Sequence, residues 1–343
     1  MAKLEKTSLS PHLQEWIRSY LTDRQQRVVV GGEASHDNPV LSGVPQGSML
    51  GPLLFLLYIN DITEIQLSSG SVLNLFAADM LLYKPITLQH DYQSHQEEVN
   101  RIQEWVNTKY LSLNPIKCKC MIVTRRKSNH ATSLYLGNTL LEQVETFKYL
   151  GVLLSSDLNW TPHIENICSK VRKPVGLLYR QFYNNASSDA KIKLYTAVIR
   201  PQLEYSAEVW DPHLQKNVEL LENVQKQALR MCSRQWDLTY HALLEQFHLP
   251  NLANRRVHLK LCTLFKIVHG LLYFPSHVVT PDVRSGRHHA YSLPLLHCPY
   301  ARTTAFQSSF VPSSISVWNH LPSEALHATS VRTFKLFTVP LFM

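Results

Sequence analysis

The sequence predicts an α+β chain that begins with alternating helices and strands and continues as a helical array. Short apolar segments ending in turn residues alternate with helical patterns up to about residue 160. Thr161-Pro162 then opens a long helical pattern, and helical spacing dominates to about residue 272. The 343 residues are 45% hydrophobic, which is enough for more than one core, because domains usually contain about 100–200 residues.

The first elements are predicted by capping residues and periodicity. Ser10 before a proline predicts the start of an amphipathic helix, whose apolar positions are Leu13, Trp16, Ile17 and Tyr20. Three valines before Gly31-Gly32 predict a strand and a hairpin. A second helix is expected to begin at Gly51-Pro52, and its apolar residues continue all round, which indicates a buried helix.

The next segments alternate again. Val72 to Tyr83 predicts two short strands that meet at Ala77-Ala78-Asp79. Helical spacing is seen from Glu97 until Asn114-Pro115 stops it. Strands are expected around Cys118 to Ile122, at a Gly137-Asn138 hairpin and over Phe147 to Leu154. Beyond residue 272, proline, serine and histidine with little periodicity predict an irregular arm, with one short helix near Ile315 to Trp318.

Charge and cysteine usage limit the function classes. Lys and Arg number 34 against 26 Asp and Glu, a formal net charge of +8 that favours polyanionic partners but also fits an ordinary surface. The six cysteines and their neighbouring histidines form no zinc pattern, so structural thiols in a reducing compartment are expected. Residues 1–20 lack the apolar core of a signal peptide. We therefore expect an intracellular protein, cytoplasmic or nuclear, without membrane contact.

The most specific segment is the glycine- and proline-rich stretch from Ser42 to Phe55. Three glycines and two prolines within ten residues predict a fixed loop whose backbone can approach a ligand closely. The loop precedes a helix N-terminus, which suits a phosphate group. On residue chemistry alone, a plain structural turn is the more frequent meaning of such a pattern, and both interpretations stay open.

This stretch closely resembles the template- and nucleotide-contacting loop of jockey-like non-LTR reverse transcriptases. Phe76 to Asp79 is similar to that family's Phe-Ala-Asp-Asp turn, and Leu113 to Lys117 is similar to its segment with a lysine near the leaving pyrophosphate. Phe147 to Val152, with Trp160, resembles the primer grip. The resemblance continues through Arg200 to Tyr205, Val209 to Pro212 and Trp318 to Pro322.

The resemblance implies a fold and a set of site residues. It implies a truncated C-terminal portion: a partial palm over 1–160, a helical thumb- or connection-like domain over 161–272 and a C-terminal arm over 273–343. Template or substrate contacts would fall on Ser42, Gly43, Pro45, Gln46 and Gly47, and primer contacts on Tyr149, Leu150 and Gly151.

Two departures affect the catalytic residues that the resemblance implies. The family holds two Mg²⁺ ions with three aspartates, whereas Ala78 stands at the first position of the turn and leaves Asp79 as a remnant of the metal-binding and catalytic set. Met1 falls just after the place of the family's earlier Ala-Phe-Asp strand. One carboxylate cannot organise two ions about 3.5–4 Å apart. We expect no productive Mg²⁺ binding and no polymerase activity, unless a partner chain or a longer isoform supplies that strand.

Two other side chains have roles that the sequence leaves open. Asp61 could supply a carboxylate, but capping its helix or pairing with an arginine is favoured. Lys117 would give a proton or charge to the leaving phosphate, and an exposed lysine at a strand edge is an equally good interpretation.

A basic face is expected on the helix that follows Trp160. Lys170, Arg172, Lys173 and Arg180 could follow a nucleic-acid backbone, as could Arg125, Arg126 and Lys127. The nearby aromatic residues could stack on bases or simply form the packing face of the helix: Tyr179, Phe182 and Tyr183. His288-His289 lacks a partner at metal spacing and is expected in an exposed loop.

The predicted function is thus that of an RNA-directed DNA polymerase fragment from a mobile element, inactive and at most able to bind nucleic acid. Binding of RNA or DNA should be weak and independent of sequence. Two alternatives remain: a protein-interaction module in the leucine- and tyrosine-rich helical half, and a decaying element without a selected role.

Overall fold

The computed structural model describes residues 2–125, 133–282 and 295–342. Within these ranges the chain is mixed α and β, with small sheets, as the sequence predicts. It forms two compact units, of which unit 1 contains residues 1–122 and 128–144 and unit 2 contains residues 123–127 and 145–343. The sequence-based division at residues 160 and 272 stays a prediction.

Unit 1 contains four α-helices and ten short strands among the described residues. Its helices are α1 Ala2–Glu5, α2 Pro11–Leu21, α3 Leu50–Ile59 and α4 Gln89–Thr108, with a 3-10 turn at Asn60–Glu64. The strands are β1 Gln25–Gln26, β2 Val29–Val30, β3 Glu33–Ala34, β4 Asn38–Pro39, β5 Val72–Phe76, β6 Asp79–Tyr83, β7 Lys119–Cys120, β8 Tyr135–Leu136, β9 Thr139–Leu140 and β10 Glu142–Gln143.

These strands form five two-stranded sheets. Four are antiparallel, β1 with β4, β2 with β3, β5 with β6 and β8 with β9, and β7 with β10 is parallel. The hairpins at Gly31-Gly32 and Gly137-Asn138 confirm the sequence prediction. A small hydrophobic core, formed by Leu134, Leu136 and Leu141, packs against α4.

The N-terminal helix α2 confirms its predicted cap, because the Ser10 Oγ accepts a hydrogen bond from the Leu13 amide. Helix α4 begins at Gln89, eight residues before the predicted start at Glu97. Asp91 explains the early start, since its carboxylate accepts hydrogen bonds from the Thr87 and Leu88 amides and fixes the first turn.

The predicted burial of helix α3 is wrong. The helix forms, but Leu53 is 62% exposed and Leu56 is 47% exposed, and only Gly51 and Ile59 of its residues are buried. An apolar circumference therefore does not show burial when the neighbouring described elements are short and cover one side only.

Unit 2 opens with a hairpin and continues as helices. The hairpin pairs β11 Thr146–Tyr149 with β12 Val152–Ser155, so the predicted strand over Phe147 to Leu154 is interrupted by a turn at Leu150-Gly151. The first helices are α5 Thr161–Phe182, α6 Ser188–Leu194, α7 Arg200–Glu204, α8 Ala207–Trp210, α9 Gln215–Ser233, α10 Tyr240–Phe247 and α11 Leu252–Val268, with a π-helical turn at Tyr195–Ile199.

The C-terminal part differs from the irregular arm that the sequence predicts. Four helices occur among its described residues, α12 Thr304–Gln307, α13 Phe310–Trp318, α14 Ser323–Leu326 and α15 Val331–Thr338, followed by a 3-10 turn at Val339–Phe342. Their apolar side chains bury Trp318 and Phe334 against Phe265 of α11. Packing on α11 therefore stabilises helices that are too short to show clear periodicity.

The larger core of unit 2 joins the β11–β12 hairpin to helices α5 to α10 and to the first half of α11. His163 lies within it, 2% exposed, with its Nδ1 accepting a hydrogen bond from the Leu153 amide at 3.0 Å and its ring edge-on to Trp210. Burial, reinforced by the positive charge of Lys170, lowers the pKa of His163 to about 4.

This histidine predicts a loss of stability in mild acid. The unfolded chain binds the proton near pH 6.5 and the folded chain only near pH 4, so the free energy of unfolding should fall as pH decreases through that window. The loss is at most about 3 kcal/mol. Denaturant unfolding, monitored by hydrogen exchange of the unit 2 amides at several pH values between 7.5 and 4, measures this loss in the free energy of unfolding.

The control distinguishes His163 from other titrating groups. His163→Gln should flatten the dependence between pH 6.5 and 4, whereas His241→Gln, at a side chain that is 83% exposed, should leave it unchanged. Burial also lowers the pKa of His258, so a residual slope is expected. An identical pH dependence in wild type and His163→Gln would contradict the prediction.

Candidate nucleic-acid interface

The Ala77-Ala78-Asp79 turn forms the tip of the β5–β6 hairpin. Asp79 begins β6 and pairs with Phe76, and Ala77 has a left-handed φ of 50°. All three residues are exposed, as the sequence predicts for residues at the edge of a sheet. The methyl group of Ala78 offers no ligand atom, so Asp79 is the sole carboxylate of this turn.

The residues described around this turn do not fit a pair of divalent cations. Within residues 2–125, 133–282 and 295–342, no group of three or more His, Cys, Asp or Glu side chains is arranged to hold a metal ion. Lys117 is exposed in the turn before β7, and no hydrogen bond or ion pair joins it to Asp79 in this part of the chain. The structure therefore does not bring the two predicted catalytic residues into contact.

Asp61 forms ion pairs with two lysines rather than with an arginine. Its Oδ1 lies 2.6 Å from the Lys3 Nζ and its Oδ2 lies 2.6 Å from the Lys109 Nζ. Burial would raise the pKa of this carboxyl, but the hydrogen bonds from Lys109 and Lys3 outweigh burial and lower it. A carboxylate committed to two ammonium groups is a poor substitute for the missing aspartate.

The loop that contains Ser42, Gly43, Pro45, Gln46 and Gly47 has no regular secondary structure and leads into α3. Ser48, which the sequence analysis did not single out, closes it: the Ser48 Oγ donates to the Pro45 carbonyl at 2.9 Å and accepts from the Gly51 amide at 2.9 Å. A Cβ at Gly51 would lie 2.9 Å from the Pro45 oxygen, so glycine is required there. The geometry supports a fixed loop, and ligand contact stays a prediction.

The predicted primer-grip residues form the tip of the β11–β12 hairpin. Leu150 and Gly151 both have positive φ, 45° and 88°, in a two-residue turn. The Tyr205 hydroxyl donates to the Leu150 carbonyl at 3.0 Å, and a Cβ at Gly151 would lie 2.9 Å from the Tyr205 ring. Tyr205 fixes this tip, which no periodic pattern in the sequence indicates.

The basic face is the exposed side of α5. Lys170, Arg172, Lys173 and Arg180 are all exposed. At 100° per residue they fall within about half of the helix circumference. The opposite side buries Ile164, Ile167, Cys168, Val171 and Leu178. None of the four cations forms an ion pair with any residue that the structure describes. Their charges are therefore available to a phosphate backbone.

Arg126 and Lys127 lie outside the described residues, as does the His288-His289 pair.

The aromatic residues of α5 divide between packing and exposure. Tyr183 packs against the core, and Lys191 and Arg234 lie over its ring at 5.5 Å and 5.3 Å. Tyr179 is 44% exposed and Phe182 is 39% exposed. Packing therefore accounts for Tyr183, and the other two rings remain accessible for stacking.

Comparisons with known proteins show which sequences this chain is similar to. Residues 1–154 match the reverse transcriptase (RNA-dependent DNA polymerase) family. The N-terminal part of the chain is therefore similar to reverse transcriptases. The chain is 29% identical over 238 residues, 66% of this chain and 26% of the relative, to the RNA-directed DNA polymerase from mobile element jockey of Drosophila funebris. The Drosophila melanogaster jockey polymerase is 24% identical over 73% of this chain and 28% of its own length.

A third relative carries the same kind of name. The sequence named a probable RNA-directed DNA polymerase from transposon X-element of Drosophila melanogaster is 27% identical over 236 residues, 67% of this chain and 26% of that protein. The chain thus spans about a quarter of the length of these curated reverse transcriptase relatives. The predicted resemblance to the jockey-like elements is confirmed.

Hydropathy gives one further result. No helix within the described residues combines the length and the apolar character needed to cross a bilayer.

Proposed function

We propose that this chain is a reverse-transcriptase-derived protein that binds RNA or DNA weakly and independently of sequence, and that it does not polymerise. The exposed, unpaired basic face of α5 is the observation that carries the binding proposal. Ala78 in the tip of the β5–β6 hairpin supports the loss of activity. A partial palm, a thumb-like helical domain and Mg²⁺ use in the active relatives belong to the same proposal.

The residues proposed to contact nucleic acid lie in both units. In unit 1 they are the loop residues Ser42, Gly43, Pro45, Gln46 and Gly47. In unit 2 they are the hairpin tip, Tyr149, Leu150 and Gly151, and the four cations of α5. The cations should dominate affinity, because phosphate contacts supply most of the free energy of sequence-independent binding.

Salt dependence tests the binding face. Each phosphate neutralised contributes about 0.7–0.9 to the slope of log affinity against log salt concentration, so four contacts predict a slope of about −3 to −4. Replacing Lys170, Arg172, Lys173 and Arg180 with Ala should flatten this slope without changing the circular dichroism spectrum. Fluorescence anisotropy with a labelled single strand, titrated between 50 and 200 mM salt, is a suitable measurement.

A matched variant removes the same amount of charge from other exposed positions of unit 2. It carries alanine at Lys216, Lys266, Arg332 and Lys335. This control should keep the wild-type slope. That result would show that binding depends on the four cations of α5 and not on the total charge of the protein. If both variants lose the slope equally, the face on α5 is not the binding site. Binding that is insensitive to salt would favour the protein-interaction alternative, because apolar interfaces respond little to ionic strength.

A further inference from the structure

A cavity of about 690 Å³ lies in unit 2, between the segment that joins α8 to α9, the middle of α11, and α13 with the segment before it. Its volume lies within the range of about 300–1,000 Å³ that is usual for small-molecule sites. The proposed binding face on α5 contributes no lining residue. This cavity is therefore a separate place to look for a ligand.

Two lining residues of the cavity, Asp211 and Lys260, belong to a group of three charges that do not balance, with Arg256 as the third member outside the lining. Asp211 receives the Arg256 Nε at 2.7 Å on one oxygen and the Lys260 Nζ at 2.6 Å on the other. The Arg256 side chain is 1% exposed and the Lys260 side chain is 7% exposed. Two cations thus share one carboxylate where solvent screening is weak, and the group carries a net charge of +1.

Both cations of this group also have hydrogen-bond donors without an acceptor among the described residues. The ammonium group of Lys260 has three protons, and the partners it finds in the described residues are Asp211 and, at 3.1 Å, the Ser313 Oγ. The Arg256 Nη1 is buried and has no partner among these residues. Because Lys260 lines the cavity and Arg256 does not, the remaining proton of the Lys260 ammonium group is the donor available to a ligand, and the net positive charge of the group favours an anion.

The remaining lining residues suit a nucleotide. Ser308, Ser316 and Gln307 line the cavity and have hydroxyl and amide groups. Tyr300 also lines the cavity, and its side chain is 86% exposed, so its ring is accessible to a base. Among the described residues of the lining, Lys260 is the only lysine or arginine, which places the strongest anion contact at that point.

We propose that this cavity binds the phosphate monoester of a nucleotide, with Lys260 contacting the phosphate and Tyr300 stacking on the base. Two sources share this chemistry: a free nucleoside monophosphate and the 5′-phosphorylated end of a nucleic acid strand. This proposal does not rest on the nucleic-acid binding proposed for α5.

Calorimetric titration of the 343-residue protein with adenosine monophosphate, inorganic phosphate and adenosine tests the proposal. The monophosphate should bind saturably and more tightly than either phosphate or adenosine alone. Lys260→Met should weaken monophosphate binding about tenfold or more, because a charge-assisted hydrogen bond is lost. Lys266→Met, which removes an exposed lysine of the same helix, should have no effect.

A variant at an exposed position keeps the test informative if Lys260→Met does not fold. Tyr300→Ala changes an exposed side chain and should weaken binding of the monophosphate but not of inorganic phosphate. Absence of saturable monophosphate binding by the wild type overturns the proposal, as does equal affinity for adenosine.

The source of the phosphate follows from one more comparison. In the variant with four alanines on α5, a 5′-phosphorylated oligonucleotide that binds more tightly than both the monophosphate and the same oligonucleotide without its 5′-phosphate assigns the cavity to a strand end. Equal or weaker binding assigns it to a free nucleotide. The variant with four alanines on α5 should retain monophosphate binding. Failure of the sequence-independent binding proposal therefore leaves this result unaffected, and the two can be judged separately.

Discussion

Primer extension by the 343-residue chain with Mg²⁺ or Mn²⁺ should give no template-dependent product. Ala78 removes one carboxylate from the turn, and Asp79 belongs to no group of three metal-ligand side chains within the described residues. Each cation of a two-metal site contributes several kcal/mol to the transition state. Losing both lowers the rate by about four orders of magnitude or more. A labelled primer on an RNA template, resolved on a denaturing gel, gives the measurement.

The variant Ala78→Asp sharpens this experiment. It restores the pair of carboxylates on the turn but adds no third ligand, so we expect this variant of the same chain to remain inactive as well. A functional reverse transcriptase in a parallel reaction shows that the template and primer are competent. Incorporation by the wild type that disappears in Asp79→Ala would show that the chain polymerises after all.

Asp211→Ala should destabilise unit 2 by about 3–5 kcal/mol, because removing one partner leaves buried charge uncompensated. Arg256 and Lys260 would then face each other without the carboxylate that both now contact. Amide hydrogen exchange of α9 and α11, at neutral pH and in phosphate-free buffer, reports the local free energy of opening.

Two variants control for this change. Asp237→Ala removes an exposed carboxylate of the same unit and should alter stability by less than about 0.5 kcal/mol. The triple variant Asp211→Leu, Arg256→Met, Lys260→Met removes all the buried charge together and should cost much less than Asp211→Ala alone. Equal protection of α11 in Asp211→Ala and wild type would mean that the carboxylate is not needed there.

The sequence predicted local structure well where a cap or a turn residue determines it. Ser10 and the two glycine hairpins of unit 1 are examples, because their backbone geometry depends on the residue itself. Burial was harder to predict. Helix α3 has an apolar circumference and is nevertheless largely exposed, since burial depends on which other elements cover it.

The parts of the site that the sequence did not reveal depend on contacts between distant residues. Asp211 and Arg256 are 45 positions apart, and Tyr205 reaches Leu150 across 55 positions. Arg256 and Lys260 lie one helical turn apart, which marks a shared face of α11 but does not identify the carboxylate opposite it.

The fixed tip of the β11–β12 hairpin has a practical consequence for dividing the chain into pieces. The family match ends at residue 154, inside β12, yet Tyr205 and His163 attach this hairpin to the helices that follow it. A recombinant fragment cut after residue 154 would separate the strands from these contacts and expose Val152, which is 6% exposed in the intact chain. A C-terminal fragment that begins near residue 145 keeps the hairpin with these helices, and one that begins near residue 123 also keeps the hydrogen bond from the Thr124 amide to the Ser156 carbonyl.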